Sequence, residues 1–191
     1  MSNTPQIHHK ICSLVDYYNL IIHSENKEKY NKELAKMAEM NYQEWYDTFY
    51  CDHLDVYPSA TSMAAMWDKA GLGQDYQILD IIVCFDTDSL AMLGMCALEY
   101  NELEPRCQNI NPDKIYLTNL LVIPSARSQG IAAHIIKYCI NWLQNSRPEL
   151  TRLYLNCQQK IMPYYLKQGW ILSETGTGLF DWYEMYYQIK N

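Results

Sequence analysis

The sequence predicts an α/β fold with a central mixed sheet flanked by helices. Three observations lead there. Strand-like and helix-like periods follow one another in the order β-α-α-β-β-β-α-β-α-β-β. Residues 79–100 read as a hairpin, two β-rich runs about a polar turn. The run Leu120-Leu121-Val122-Ile123-Pro124-Ser125-Ala126-Arg127-Ser128-Gln129-Gly130-Ile131-Ala132-Ala133 is a strand stopped by a proline and followed by a segment of helical period.

In order along the chain, the stretch 7–18 is mixed and reads equally as a short helix or a loose extension. Residues 1–18 are therefore set apart as an N-terminal extension from a single domain over 19–191. Asn-Leu-Ile-Ile-His at 19–23 reads as a short first strand, ended by Ser24-Glu25-Asn26-Lys27. Over 30–50, Leu34, Met37, Ala38, Trp45 and Phe49 recur at helical spacing, which predicts an amphipathic helix with a break or bend near Asn41. Ser59 or Thr61 caps a second helix, and Gly71-Leu72-Gly73 ends it.

The period then changes. Residues 79–85 and 90–100 are strands about the turn 86–89, and 101–114, with two prolines, is a long loop. A strand over 115–123 leads into a helix over 129–144, where Ile131, Ile135, Ile136, Cys139, Ile140 and Leu143 form one stripe. Asn145-Ser146-Arg147-Pro148 stops it. A short strand at 153–156, a short helix at 161–168 closed by Gly169, a strand beginning at 170–172, a turn at Gly176-Thr177-Gly178 and a last strand over 180–189 complete the chain.

At 191 residues the chain is long enough for a sizeable core. Its net charge of −7 argues against broad nucleic-acid binding, which needs a basic face, and is compatible with a cationic amine substrate. Seven cysteines, none in a CxxC spacing and several in apolar runs, read as reduced core thiols rather than a disulfide frame or a zinc site. His8-His9 reads as a solvated pair, so no metal is expected. No apolar run approaches the roughly 18 residues of a membrane span, and the first residues lack the pattern of a signal peptide. A cytoplasmic protein is expected, although one exported as an effector would read alike.

The strand–turn–helix run has a chemical use. The first turn of a helix carries unpaired N–H groups and the positive end of the dipole, so it can hold a phosphate. Gly130 lets the backbone approach the anion, and small Ala132 and Ala133 keep the way open. Taken alone, the same residues also suit an ordinary surface turn capping a core helix.

Two motifs in order resolve this. Arg127-x-x-Gly130-x-Ala132 after a strand ending Val-x-Pro resembles motif A of the GCN5-related N-acetyltransferases (GNAT), and Tyr164-Tyr165-Leu166-Lys167-Gln168-Gly169-Trp170 resembles that family's closing signature. The resemblance is firm from about Leu79 onward and rests on layout over 19–78. It implies a mostly antiparallel mixed sheet and an enzyme that moves an acetyl group from acetyl-CoA to an amine of a small molecule, peptide or protein. It also implies that the backbone of Leu120, Leu121 and Val122 pairs with the pantetheine arm, the Leu120 amide facing the acetyl oxygen. Ser128, Gln129, Gly130, Ile131, Ala132 and Ala133 would then wrap the pyrophosphate, with Arg127 supplying positive charge.

By the same resemblance Tyr165 protonates the departing thiolate, a role that suits a phenol. Glu102 is the candidate general base, in a loop whose other carboxylates are Glu99 and Glu104. Gln158 stands where the family often has an asparagine on the cofactor, and Ser128 where many members have glycine. Glu44-Trp45 resembles a Glu-Trp pair in the first helix of one branch, and monomer and homodimer both remain open. Two further readings stand beside the enzyme: a CoA-binding GNAT fold serving as sensor or interaction module without turnover, and a toxin acting on aminoacyl-tRNA, which the acidic charge disfavours.

Overall fold

The computed structural model describes residues 8–24, 27–48, 58–74, 78–100, 111–173 and 182–189. Seven strands form one sheet: β1 (His9–Ser13), β2 (Ile78–Asp86), β3 (Met92–Tyr100), β4 (Ile115–Val122), β5 (Arg152–Gln158), β6 (Ile171–Leu172) and β7 (Trp182–Gln188). Their spatial order is β1-β2-β3-β4-β5-β7-β6, antiparallel throughout except for the parallel pair β4–β5. The helices are α1 (Leu14–Ser24), α2 (Lys27–Trp45), α3 (Ala60–Gly71), α4 (Ile131–Ser146) and α5 (Met162–Lys167).

Two expectations at the N-terminus are corrected. Residues 19–23 are helical, and the edge strand lies earlier, at His9–Ser13, paired with β2. Leu14, Tyr17 and Ile21 are buried at helical spacing, so packing outweighs the strand propensity of Leu-Ile-Ile. Nor is there a break near Asn41. α2 runs through it because Asn41 continues the buried face of Tyr30, Leu34, Met37 and Ala38. Phe49, Tyr50 and the Gly176–Gly178 turn lie outside the described residues.

The remaining elements follow their local chemistry. Ser59 caps α3 by accepting the Ser62 N–H at 3.2 Å. Asp86 closes the β2–β3 turn by accepting the Ser89 backbone N–H and hydroxyl, both at 2.7 Å. Every residue of β2 from Ile81 to Phe85 is buried, so both sheet faces are covered there, where α1, α3 and α4 pack. On α4 the predicted stripe is buried at Ile131, Ile135, Ile136, Cys139 and Leu143, and half-buried at Ile140.

Cys12, Cys84, Cys96, Cys139 and Cys157 are free thiols in this core. Burial pushes Cys12 up to about 11 and Cys84 to about 12, so neither forms a thiolate at neutral pH. Cys51 and Cys107 lie outside the described residues. No helix of the described residues is long and apolar enough to cross a membrane.

The β4–β5 pair sets up everything that follows. Only Ile115↔Leu153 and Tyr116↔Tyr154 are in register, and beyond them the two strands carry no mutual ladder. The paired end is clamped from β7. Glu184 accepts from Lys114 at 2.7 Å and from the Tyr116 hydroxyl at 2.8 Å, while the Lys114 ammonium sits 4.7 Å from the Tyr154 ring centre. Burial opposes the Glu184 charge, but these donors outweigh it and hold its carboxyl below the ordinary value.

Candidate active site

A cavity of about 420 Å³ occupies the divergence. Leu117 to Val122 of β4 line one side and Asn156, Cys157 and Gln158 of β5 the other. Trp45 of α2, Met63, Met66 and Trp67 of α3, and Trp182 of β7 add an apolar wall, and Tyr164 and Tyr165 of α5 close another. Such a mostly apolar cleft with a few polar groups is the usual form of a small-molecule site.

β4 is irregular where it meets this space. Met95 pairs with Leu121 and Ala97 with Thr118, so Asn119 and Leu120 together oppose Cys96. This is a β-bulge, and Asn119 takes the left-handed conformation, φ 52°, that asparagine tolerates better than most side chains. The Asn119 amide donates to Glu99 at 3.3 Å and lies 3.2 Å from the Thr118 hydroxyl. Glu99, half-buried at the end of β3, is thereby a carboxylate in the cavity wall.

After Val122 the chain makes one 3₁₀ turn, Pro124–Ala126, and enters the motif. Ser128 has φ 63° and Gly130 φ 78°. These two left-handed residues, separated by Gln129, shape the turn that leads into α4. Gly130 also serves as N-cap of α4 with no side-chain cap, and a β-carbon there would have only His134 Cε1, at 4.0 Å, for company. No side chain caps the N–H groups of the first turn. Gln129 braces the loop by donating to the Ser125 carbonyl at 3.2 Å.

Of the residues singled out from the sequence, Leu120, Leu121, Val122, Arg127, Ala132, Gln158 and Tyr165 line the cavity. Ser128, Gln129, Gly130, Ile131 and Ala133 form the turn and the start of α4. Glu102 lies outside the described residues. Tyr165 is buried, its ring edge-on to Tyr164 at 5.3 Å and to Trp170 at 5.8 Å. Arg127 points away from the turn: its Nε donates to the Val122 carbonyl at 2.9 Å and its Nη2 meets Glu44 at 3.2 Å.

Glu99, Asn119, the α3 wall, Lys160 and Trp182 were not picked out from the sequence. Glu99 had a signal there, as one of three loop carboxylates. His9 is not simply solvated, since its Nε2 lies 3.0 Å from His134 Nδ1. Among the described residues no group of three or more His, Cys, Asp or Glu is placed to hold a metal.

The family model of the "Acetyltransferase (GNAT) family" matches residues 34–170. The chain belongs to the GNAT acetyltransferase family. GNAT enzymes take acetyl-CoA as acyl donor. Solved structures share the fold at low identity. The PaiA N-acetyltransferase of Thermoplasma acidophilum in complex with coenzyme A is 14% identical, with 95% of this chain and 99% of that one covered and a TM-score of 0.58. A GNAT-family acetyltransferase of Staphylococcus aureus Mu50 is 11% identical, covers 96% and 100%, and also scores 0.58. A putative N-acetyltransferase of Lactobacillus plantarum is 9% identical, covers 95% and 99%, and scores 0.57. A search of curated protein sequences finds no match.

Proposed function

We propose that this GNAT protein is an N-acetyltransferase that transfers an acetyl group from acetyl-CoA to a primary amine by direct attack. One observation carries the reading: the open edges of β4 and β5 face a cavity whose walls also hold Tyr165 and Glu99. Where β4 and β5 share no ladder, a ligand arm bearing amides can pair with strand backbone. The uncapped start of α4 suits a diphosphate. The residues present therefore fit CoA, which supplies the activated acyl group.

The protein's own tasks follow. Leu120, at the bulge, presents its N–H toward the carbonyl oxygen on which negative charge develops. Glu99, oriented by Asn119, accepts the proton that the amine loses, directly or through a water. Tyr165 donates its phenolic proton to the leaving sulfur as the C–S bond breaks. A phenol, ordinarily titrating near 10, is still protonated at neutral pH and available as a donor. Gln158, at the end of β5 opposite Trp182, stands where its amide can meet the cofactor arm.

The acceptor is a small-molecule, peptide or protein amine. A CoA-release screen over polyamines, aminoglycosides, lysine peptides and peptides with free N-termini tests the proposal. Turnover of at least one class, dependent on acetyl-CoA, is expected. CoA binding with no release from any class would instead make the protein a binding module.

A further inference from the structure

A cation opening the Arg-x-x-Gly-x-Ala motif is expected to face the phosphates of the cofactor. The structure puts Arg127 to another use. Val122, whose carbonyl takes the Arg127 Nε–H, ends β4 on the open side of the divergence. Glu44, which takes the Nη2 end, lies in the last turn of α2, next to Trp45, whose ring packs on Trp182 of β7 at 5.4 Å. All five residues line the cavity. One planar side chain therefore joins the β4 edge to the wall built by α2 and β7.

Charge and geometry both bear on its role. An arginine beside a carboxylate at 3.2 Å presents a dipole, not a full positive charge, to an anion farther off. Its rigid fork already serves a carbonyl on one side and a carboxylate on the other. The phosphates meanwhile have the open N–H groups that begin α4.

We propose that Arg127 is a positioning residue, holding Glu44 and the end of α2 against β4 so that the acceptor wall is fixed relative to the cofactor edge, and that it is not a ligand of the cofactor's phosphates. The acceptor half of this statement rests on the acyl-transfer reading; the phosphate half does not.

The test is calorimetry of CoA binding at two salt concentrations with the wild-type protein, Arg127→Gln, Arg127→Lys, Glu44→Gln and the double Gln variant, alongside KM and kcat for an amine found by the screen. As a positioning residue, Arg127 leaves the Kd for CoA within about twofold in every variant, with an unchanged salt dependence. Each single variant raises the amine KM by about three- to fivefold, the worth of an exposed ion pair, with kcat changed less. The double variant is no worse than either single one, because the two residues act as one unit. Arg127→Lys behaves like Arg127→Gln, since an ammonium cannot serve both partners with one fork.

A phosphate ligand gives the opposite pattern. Arg127→Gln would then weaken CoA by about tenfold or more, the worth of a charged hydrogen bond. Arg127→Lys would largely restore it, and Glu44→Gln would tighten it by removing a competing anion. That result overturns the proposal, as does additivity in the double variant. If the wild-type protein binds CoA but acetylates nothing, the acyl-transfer reading fails and the calorimetry still decides the role of Arg127.

Discussion

Gly94 of β3 lies so close beneath Leu121 of β4 that a β-carbon on it would meet the Leu121 carbonyl oxygen at 2.8 Å. Ile135 Cδ1 at 3.2 Å and Val122 Cγ2 at 3.3 Å close in as well, so α4, β3 and β4 cross closely at this end of β4. The backbone oxygen cannot step aside as a side chain would. Gly94→Ala is expected to cost about 1–3 kcal/mol in urea unfolding, the usual price of overpacking, and to weaken CoA binding by shifting Leu121. An unchanged unfolding midpoint would show that β4 yields there freely.

Gly130→Asp places a negative side chain beside the first N–H groups of α4. Space allows it, and aspartate tolerates positive φ better than most residues. The circular dichroism spectrum should therefore persist while calorimetry shows CoA affinity falling by about tenfold or more, the worth of a charge-assisted contact. Undiminished affinity would remove the α4 N-terminus from the cofactor site.

Tyr165→Phe keeps the ring that packs on Tyr164 and Trp170 and deletes only the hydroxyl. Turnover on a verified amine should fall roughly 10²-fold, as for the loss of a general acid, with CoA affinity little changed. Tyr164, its neighbour in the cavity wall, is the control. If Tyr164→Phe produced the drop instead, the acid would be Tyr164.

Asp80 gives a prediction about pH. Burial, and after it the charge of Asp16, pushes its carboxyl from 3.8 up to about 6, against the lowering effect of the Ile81 N–H that it accepts at 2.8 Å. The folded state therefore holds this proton over a range where the unfolded chain has lost it. The sign is that stability is fully present below about pH 4 and declines as pH rises through about 6. Since part of the carboxyl is solvated, the swing should be on the order of 1–2 kcal/mol. Denaturation of Asp80→Asn across pH 4–7 should lack that decline and give a protein more stable than wild type at neutral pH.

What could be read from the sequence divides along physical lines. The β2–β3 hairpin, β4, α4 and the α5 signature were legible because period, turn residues and glycines agree there. Residues 19–23 were misread because three β-prone residues stand in a row while the helical spacing that governs them starts at Leu14, outside the window. Asn41 looked like a helix breaker because a buried asparagine is distinguished from an exposed one only by its neighbours in space. The bulge at Asn119–Leu120 is set by pairing with Cys96 across the sheet, which no local pattern encodes. The pairing of Arg127 with Glu44, far away in the chain, is likewise encoded by no local pattern.

The two-residue contact between β4 and β5 has a mechanical meaning. It is a seam between a four-stranded panel, β1 to β4, and a three-stranded panel, β5, β7 and β6, riveted at one end by Lys114, Glu184 and the Tyr116–Tyr154 pair. Above the rivet no ladder joins the panels, and whatever seats itself between them acts as the missing stitch. Without a ligand, amides of 117–122 and 155–158 should exchange with solvent sooner than those of β2 and β3, and occupancy of the cleft should slow them on both panels at once.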